Sequence, residues 1–301
     1  MVRAMERSRP LIAAFWMTGA VASFVLMAVS GREITVELDT FELMLYRSVI
    51  GFCIVAVLLA IHPAGFVQVR TPHFTSHIKR NIFHFTGQNL WFYGITLIPL
   101  AQLIALEFTN PIWVALLAPF MLGEKMSRLR LVAALVGFVG IIIVAQPGVT
   151  PLNIGHAAAL GSSIGFAFNT IFTRQIMRFD TVLCVLFWMT LMQAGFALAL
   201  SLPGGIALPS TAVLPWIFIV GICGLSAHYC LTSALANAPA TIVAPMDFIR
   251  LPLIAVVGML FYAEPLMRAV FLGGGFIIVA NMINILGEKR RPAAKVEDIF
   301  D

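Results

Sequence analysis

The chain has 301 residues, of which 60% are hydrophobic and 11% are charged, and its mean hydropathy is +0.96. Soluble domains carry about 45–50% apolar and about 25% charged residues. The composition therefore excludes an ordinary soluble enzyme, a disordered chain, a disulfide-rich scaffold and a collagen-like repeat. Because a bilayer-spanning helix needs about 20 mostly apolar residues, the chain is long enough for about ten such helices.

A polar segment, residues 1–10, opens the chain, and the apolar run after it is predicted to be a membrane helix rather than a cleaved signal peptide. Nine more apolar runs follow, separated by turns that contain proline or glycine. Since backbone groups in lipid must hydrogen-bond within their own segment, we predict an all-α membrane protein with ten transmembrane helices. The ten runs cover residues 11–30, 41–61, 80–98, 100–122, 129–146, 155–173, 182–202, 213–235, 239–262 and 266–286.

The Lys and Arg residues are distributed unequally between the two sides that this topology defines. If the N-terminus is cytoplasmic, fifteen of the 19 basic residues lie in cytoplasmic segments, and only Arg32 and Arg268 lie on the opposite side. The other two, Arg47 and Arg250, lie inside predicted helices. Cytoplasmic loops of membrane proteins are enriched in Lys and Arg. The bias therefore predicts a multi-pass membrane protein with both termini in the cytoplasm; the location that we expect is a bacterial-type inner membrane.

An internal repeat is visible when the sequence is compared with itself at an offset of 140 residues. Each half then has five helices, so the second half would enter the bilayer upside down, as in inverted-repeat transporters with a site near the midplane. We predict one repeat over residues 1–148, a second over residues 149–287, and a cytoplasmic tail over residues 288–301. The matched pairs are Pro99 with Pro239, Glu107 with Asp247, Glu124 with Glu264, Arg128 with Arg268, and Gln88 with His228.

Four ionisable residues lie within the predicted helices, where charge is costly and commonly functional. Glu107 and Asp247 are counterparts in the repeat and could converge on one central cavity, where they would recognise a cationic or amine-bearing substrate; Glu107 could also carry a coupling proton. Arg250, three residues after Asp247, would either neutralise it on the same helix face or bind a substrate carboxylate. Arg47 would either pair with Glu42, extend to the interface, or act in coupling.

Polar and aromatic residues at matching depth in the third and eighth helices suit a small amphipathic ligand, because aromatic rings supply apolar area and amides supply orientation. Helix packing or lipid contact is the alternative role for these side chains. The candidates for substrate binding are Gln88, Asn89, Trp91, Asn110, His228 and Tyr229.

Four prolines are predicted to kink the fourth and ninth helices, which would suit either hinges or static curvature. They are Pro111, Pro119, Pro245 and Pro252. Clusters of small residues at 161–165 and 273–275 predict close helix packing. Glu124 and Glu264, at helix ends, are expected to be anchors or caps rather than ligands.

Several motifs resemble the EamA family of the drug/metabolite transporter superfamily. They are Phe108-Thr109-Asn110-Pro111-Ile112, Leu122-Gly123-Glu124, Gly137-Phe138-Val139-Gly140, Trp91-Phe92-Tyr93-Gly94, and Ala244-Pro245 leading to Glu264. The resemblance covers nearly the whole chain and is nearest to S-adenosylmethionine uptake carriers. It implies a ten-helix carrier with inverted repeats and cytoplasmic termini.

We expect a secondary transporter that moves an amino-acid-like or S-adenosylmethionine-like metabolite by alternating access. A riboflavin importer and an exporter of amino acids or drugs are alternatives within the family. A membrane-embedded enzyme would need a catalytic motif such as HExxH, which the sequence lacks, and a scaffold would gain little from buried charge. The expected partners are a small-molecule substrate and the lipid bilayer, without nucleic acid, cofactor or metal; whether a homodimer forms is left open, as are the direction of transport and the coupling ion.

Overall fold

The computed structural model describes residues 9–122, 127–146, 151–238 and 240–289. Over these residues the chain forms twelve α-helices and no strand. Each of the ten apolar runs is helical, and two of them are divided into a pair of helices. The helices are α1 Pro10–Ile34, α2 Thr40–Ile61, α3 Phe74–Leu97, α4 Leu100–Glu107, α5 Asn110–Leu122, α6 Arg128–Ala145, α7 Ile154–Ile176, α8 Val182–Ser201, α9 Leu214–Asn237, α10 Ala240–Asp247, α11 Arg250–Tyr262 and α12 Arg268–Lys289.

Eight segments of the described chain are long and apolar enough to cross a membrane. They are α1, α2, α4 with α5, α6, α8, α9, α10 with α11, and α12. The helices α3 and α7 are equally long but carry more polar residues, and they are not among the eight. An all-helical, multi-pass membrane fold is therefore confirmed, while ten crossings and an inverted repeat stay predictions.

Side-chain caps fix where individual helices begin. Asp39 Oδ1 accepts hydrogen bonds from the backbone N–H groups of Phe41 and Glu42, both at 2.8 Å, and Glu42 Oε2 accepts from the Asp39 N–H at 2.9 Å. This reciprocal capping box satisfies donors that a helix N-terminus otherwise leaves unpaired. Glu42 Oε1 also accepts from the Ala207 N–H at 2.7 Å. Glu42 is therefore committed to backbone contacts, and it does not form the predicted pair with Arg47.

The main helix packing joins the first half of the chain to the second. α1 packs most extensively on α9, α6 on α12, α3 on α7, and α2 on α8. The two predicted repeats are consequently interleaved, and each supplies one wall of every major interface.

Glycines allow the closest of these approaches. A Cβ atom on Gly140 of α6 would lie 2.7 Å from the Gly273 carbonyl oxygen of α12, and one on Gly273 would lie 2.6 Å from the Gly140 oxygen. A Cβ on Gly165 of α7 would lie 3.0 Å from the Gly87 Cα of α3. The predicted role of the small-residue clusters is confirmed at Gly165 and Gly273, whereas a Cβ on Gly275 meets nothing within 4 Å.

Two apolar runs are broken at Phe108-Thr109 and at Phe248-Ile249, where the prediction had single kinked helices. Pro111 and Pro252 lie in the first turns of α5 and α11, and there a missing N–H costs little because the first turn has no intrahelical acceptor. They therefore start new helices, and the prediction of mid-helix kinks is wrong for both. Pro119 and Pro245 do lie inside helices.

Side chains of α12 and α7 donate hydrogen bonds to backbone carbonyls at and just after the first break. Asn281 Nδ2 donates to the Phe108 oxygen at 2.9 Å, and Asn284 Nδ2 donates to the Pro111 oxygen at 3.2 Å. Ser163 Oγ donates to the Glu107 oxygen at 3.2 Å. A non-helical backbone is tolerated at membrane depth when protein groups replace the lost hydrogen bonds in this way.

Glu264 links the start of α4 to α1. Its Oε2 accepts from the Leu100 N–H at 2.8 Å, and its Oε1 pairs with Arg32 Nη1. Arg32 Nη2 also donates to the Ile98 oxygen at 2.9 Å. Glu264 thus caps α4, in keeping with the role predicted for it; Glu124 and Pro239 lie outside the described residues.

Candidate functional site

Three of the predicted in-helix charges meet where the two helix breaks face each other. Arg250 Nη2 is 2.9 Å from Glu107 Oε1 and 3.2 Å from Asp247 Oδ2. Glu107 ends α4, Asp247 ends α10, and Arg250 begins α11. Asp247 and Arg250 therefore belong to two helices rather than to one helix face, and the break lets one guanidinium reach both carboxylates. We call Glu107, Asp247 and Arg250 the charge triad.

Aromatic rings surround the triad. Trp91 Nε1 donates to Glu107 Oε2 at 2.8 Å, so both carboxylate oxygens of Glu107 have partners. The Arg250 guanidinium carbon lies 4.7 Å from the centre of the Phe24 ring and 4.8 Å from that of Phe108. Cation–π contacts of this kind stabilise a partly desolvated cation. The triad has two carboxylates for one guanidinium, and its unpaired groups are Asp247 Oδ1 and Arg250 Nε.

Asn110 belongs to a hydrogen-bonded contact between the first break and α7. Its Nδ2 donates to the Ser163 oxygen at 3.1 Å, and Thr109 Oγ1 lies 2.9 Å from Ser163 Oγ. Trp113 Nε1 donates to Thr109 Oγ1 at 3.0 Å. Asn110 therefore has a positioning role in this conformation, and its predicted role in substrate binding stays a prediction.

The other predicted ligands do not all lie together. Gln88 and Asn89 of α3 are buried, and neither Gln88 Oε1 nor Asn89 Oδ1 has a hydrogen-bond partner. His228 of α9 faces inward, with its ring 6.2 Å from the Phe24 ring. Tyr229 is 64% exposed and packs its ring at 5.6 Å from Trp16 of α1, so it lies on the outer surface of the bundle.

A second polar cluster lies around His84, and sequence reasoning missed most of it. Arg80, assigned to a cytoplasmic loop by its position, is 5% exposed, and its Nε donates to Thr173 Oγ1 at 2.8 Å. His84 Nδ1 is hydrogen-bonded to Gln193 Nε2, and its ring lies 6.3 Å from the His228 ring. Gln193 is a polar residue inside an apolar run, and that signal could have identified it.

Arg47 of α2 completes this cluster. It is 6% exposed, its Nη1 contacts Met44 Sδ at 3.6 Å, and its guanidinium lies 5.9 Å from the Phe92 ring. A Cβ atom on Gly224 of α9 would lie 2.7 Å from Arg47 Nη2, so only glycine leaves room for the guanidinium there. Arg47 therefore points into the helix bundle rather than toward an interface. We call Arg47, Arg80, His84 and His228 the basic cluster.

Two cavities differ in size and chemistry. An apolar cleft of about 710 Å³ lies between α1 and the second helix break, and its walls include Met17, Val21, Met246 and Ile249. It can hold a hydrocarbon group, but its walls offer almost no polar atoms to a charged group. A much smaller cavity of about 10 Å³ lies beside Arg47, and that volume holds about one water molecule.

One group of potential metal ligands occurs among the described residues, namely His77, Asp180 and Cys184. His77 Nε2 lies 2.8 Å from Asp180 Oδ2, which also accepts from Thr71 Oγ1 at 2.7 Å. Asp180 Oδ2 therefore has hydrogen-bond partners within the protein, and the absence of a metal stays a prediction.

Comparison with known proteins identifies the family. The model of the EamA-like transporter family matches residues 11–146 and 153–286. A riboflavin transporter of Rhizobium johnstonii is 29% identical over 290 residues, which are 96% of this chain and 95% of that protein. An S-adenosylmethionine uptake transporter of Rickettsia prowazekii is 23% identical over 282 residues, covering 94% and 95% of the two chains.

A solved structure shares the fold, with a TM-score of 0.63 at 15% identity over 92% of this chain and 98% of that chain. With the apolar helices, the family match and the two named relatives identify a multi-pass carrier of small metabolites. The chain belongs to the EamA-like transporter family.

Proposed function

We propose that this protein is a secondary transporter that moves an amino-acid-like or S-adenosylmethionine-like metabolite by alternating access. Ten membrane-spanning helices would form two inverted repeats, residues 1–148 and 149–287. The charge triad would lie near the bilayer midplane, where broken helices of transporters bind their substrates.

The pairing of the helices supports the inverted repeat. If α1 is exchanged with α7, α2 with α8, α3 with α9, and α6 with α12, then the four main interfaces map onto one another. The two helix breaks also differ by 140 residues, which is the offset of the sequence repeat. The rings of Phe108 and Phe248, one from each break, lie 5.1 Å apart.

The 2.9 Å contact between Arg250 and Glu107 carries the proposal. Charges are retained in a bilayer where they bind or couple, and this contact joins the two breaks directly. A movement of one repeat against the other must lengthen or replace it. A substrate amine or sulfonium group could take the place of Arg250 beside Glu107 or Asp247 without leaving a carboxylate unpaired.

The contact between Arg32 and Glu264 supports a conformation closed at one end. It connects α1 with the segment between α11 and α12 at the start of α4. In the proposed topology these residues lie on the periplasmic side. An opening to that side would have to separate them.

Riboflavin transport is the second candidate, because a relative of similar coverage is named as a riboflavin transporter. The aromatic side chains around the triad suit a flat ring system as well as an adenine base. Riboflavin has no cationic group for the carboxylates, and we therefore rank it second.

Counterflow in proteoliposomes tests the function without knowledge of direction or coupling ion. Liposomes are loaded with unlabelled S-adenosylmethionine, methionine, phenylalanine or riboflavin, and entry of the same labelled compound is measured. We expect saturable exchange of S-adenosylmethionine or an amino acid. Exchange of riboflavin alone would favour the second candidate, and rates equal to those of protein-free liposomes for all four compounds would contradict the proposal.

The proposed location is the bacterial inner membrane with both termini in the cytoplasm. The relatives are bacterial transporters, and the sequence bias of basic residues supports this orientation. In this arrangement, residues 288–301 form a cytoplasmic tail.

A further inference from the structure

Arg47 and Arg80 are buried among the helices without an acidic partner. Their exposed fractions are 6% and 5%, and no carboxylate of a described residue lies within 4.0 Å of either guanidinium. Arg80 donates to neutral oxygens of Thr173 and Asn81, both at 2.8 Å, and Arg47 makes a sulfur contact with Met44 Sδ and a cation–π contact with the Phe92 ring. This contrasts with Arg250, which has two carboxylates.

Arg47 lines the small cavity, and Arg80 contacts one of the other residues that line it. Arg47 lines it directly together with Met189, Gln193 and Gly224. Arg80 Nη2 contacts Met189 Sδ at 3.9 Å, so this guanidinium touches a residue that lines the cavity. His84 is held at the cavity by its hydrogen bond to Gln193.

The basic cluster therefore combines positive charge with little solvent. Arg47 and Arg80 are both close enough to the His84 and His228 rings to interact with them electrostatically. An isolated buried cation is costly, because low-dielectric surroundings do not replace its hydration. An anion that enters the cluster would remove this cost and gain charge-assisted hydrogen bonds.

We propose that the basic cluster binds a carboxylate group of the transported substrate, which occupies the cavity beside Arg47 when the surrounding helices separate. The inference rests on the proposed function and adds the chemistry that selects the substrate. A cavity of about 10 Å³ cannot hold a metabolite, so binding needs a more open conformation than this one.

The charge triad and the basic cluster then form the two ends of one site for a zwitterion. The triad has an excess of negative charge and the cluster an excess of positive charge. Phe24 contacts both, since its ring lies against the Arg250 guanidinium and 6.2 Å from the His228 ring. On the other side, Phe92 contacts Arg47 and lies 5.2 Å from the Trp91 ring, whose indole nitrogen reaches Glu107.

The first experiment compares matched ligands on the full-length protein in detergent. Thermal unfolding is followed at constant ionic strength with methionine against methioninamide, phenylalanine against phenylalaninamide, and S-adenosylmethionine against its decarboxylated form. We expect stabilisation by at least one of the three acids and weaker or no stabilisation by its partner. Equal effects within all three pairs, including no effect of any compound, would overturn the proposal.

The second experiment assigns the effect to Arg47. Arg47→Gln should raise the half-saturating concentration of the effective acid by about 10-fold or more, because hydrogen bonds to charged groups contribute binding energy on that scale. Arg47→Lys should retain more of the affinity, and Arg80→Gln should act in the same direction. Arg268→Gln, at an exposed arginine, is the matched control and should change nothing.

Gly224→Ala provides a variant that keeps the charge. Its added methyl group would displace the Arg47 guanidinium, so we expect weaker binding of the acid even if Arg47→Gln does not fold. An unchanged preference for the acid in Gly224→Ala and Arg80→Gln would overturn the assignment. Transport without a preference for acids contradicts this inference alone. Absence of transport together with stabilisation by an acid contradicts the proposed function and leaves carboxylate binding by the basic cluster intact, because thermal unfolding is measured without transport.

Discussion

Arg250 and Glu107 are 143 residues apart in the chain, and their side chains meet at 2.9 Å between Nη2 and Oε1. Each lies at the edge of a helix break, and the contact holds the two breaks against each other. The link is held in place by Trp91 on the Glu107 side and by the rings of Phe24 and Phe108 on the Arg250 side. The charged pair therefore links the two halves of the chain at their helix breaks.

Glu107→Gln is expected to lower transport by at least about 10-fold while the yield of folded protein stays near wild type. Glutamine can still accept from Trp91 but lacks the negative charge that Arg250 and a substrate cation require, and charged hydrogen bonds contribute about 1.5–3 kcal/mol. Counterflow rates and the size-exclusion profile measure the two quantities. Glu37→Gln, at an exposed glutamate that accepts from the Ser210 N–H, is the control. Unchanged transport by the Glu107 variant would exclude a direct role.

Arg250→Leu should destabilise the protein by about 1–3 kcal/mol, because its removal leaves the half-buried carboxylates of Glu107 and Asp247 without a counter-charge. The double variant Arg250→Leu with Glu107→Gln should lose less unfolding free energy than the two single variants lose in sum, since only Asp247 of the triad then remains charged. Thermal unfolding in detergent gives the comparison. Strict additivity would show that the 2.9 Å contact has no energetic coupling.

Gly273→Ala should lower stability by about 1–3 kcal/mol, because its methyl group would have to displace backbone atoms of α6 rather than a flexible side chain. Gly275→Ala, two residues along the same helix, meets nothing within 4 Å and should be neutral or slightly stabilising. Melting temperatures of the two variants provide the test. A larger loss at Gly275 would mean that α6 and α12 do not pack at Gly273.

The proposed orientation predicts opposite labelling of two exposed positions, Gly204 and Arg178. In a variant whose four cysteines are replaced by alanine, a membrane-impermeant maleimide should label Gly204→Cys in intact spheroplasts. Arg178→Cys should react only after permeabilisation. The reverse pattern would place the termini on the periplasmic side, and labelling of both positions in intact spheroplasts would rule out their placement on opposite sides.

Much of the architecture could be predicted from the order of apolar and polar residues. The ten runs correspond to helices because lipid admits few other backbone conformations, and the offset of 140 residues between Glu107 and Asp247 places both beside helix breaks. The sequence could not distinguish a helix break from a kink, since Pro111 is compatible with a kink as well as with the first turn of a new helix.

Part of the candidate site could likewise be predicted from the sequence, and part of it could not. Glu107, Asp247 and Arg250 are recognisable in sequence because a charge inside an apolar run is costly and conspicuous. The sequence by itself determined a multi-pass helical membrane protein and this short set of charges. Only the tertiary structure decided that Arg250 serves two carboxylates, that Tyr229 faces outward, and that Arg80 is buried near Arg47. The physical reason is that helix packing determines which side chains of different helices meet, and these residues are far apart in the sequence. The rotation of each helix about its axis then determines which of its side chains face the bundle.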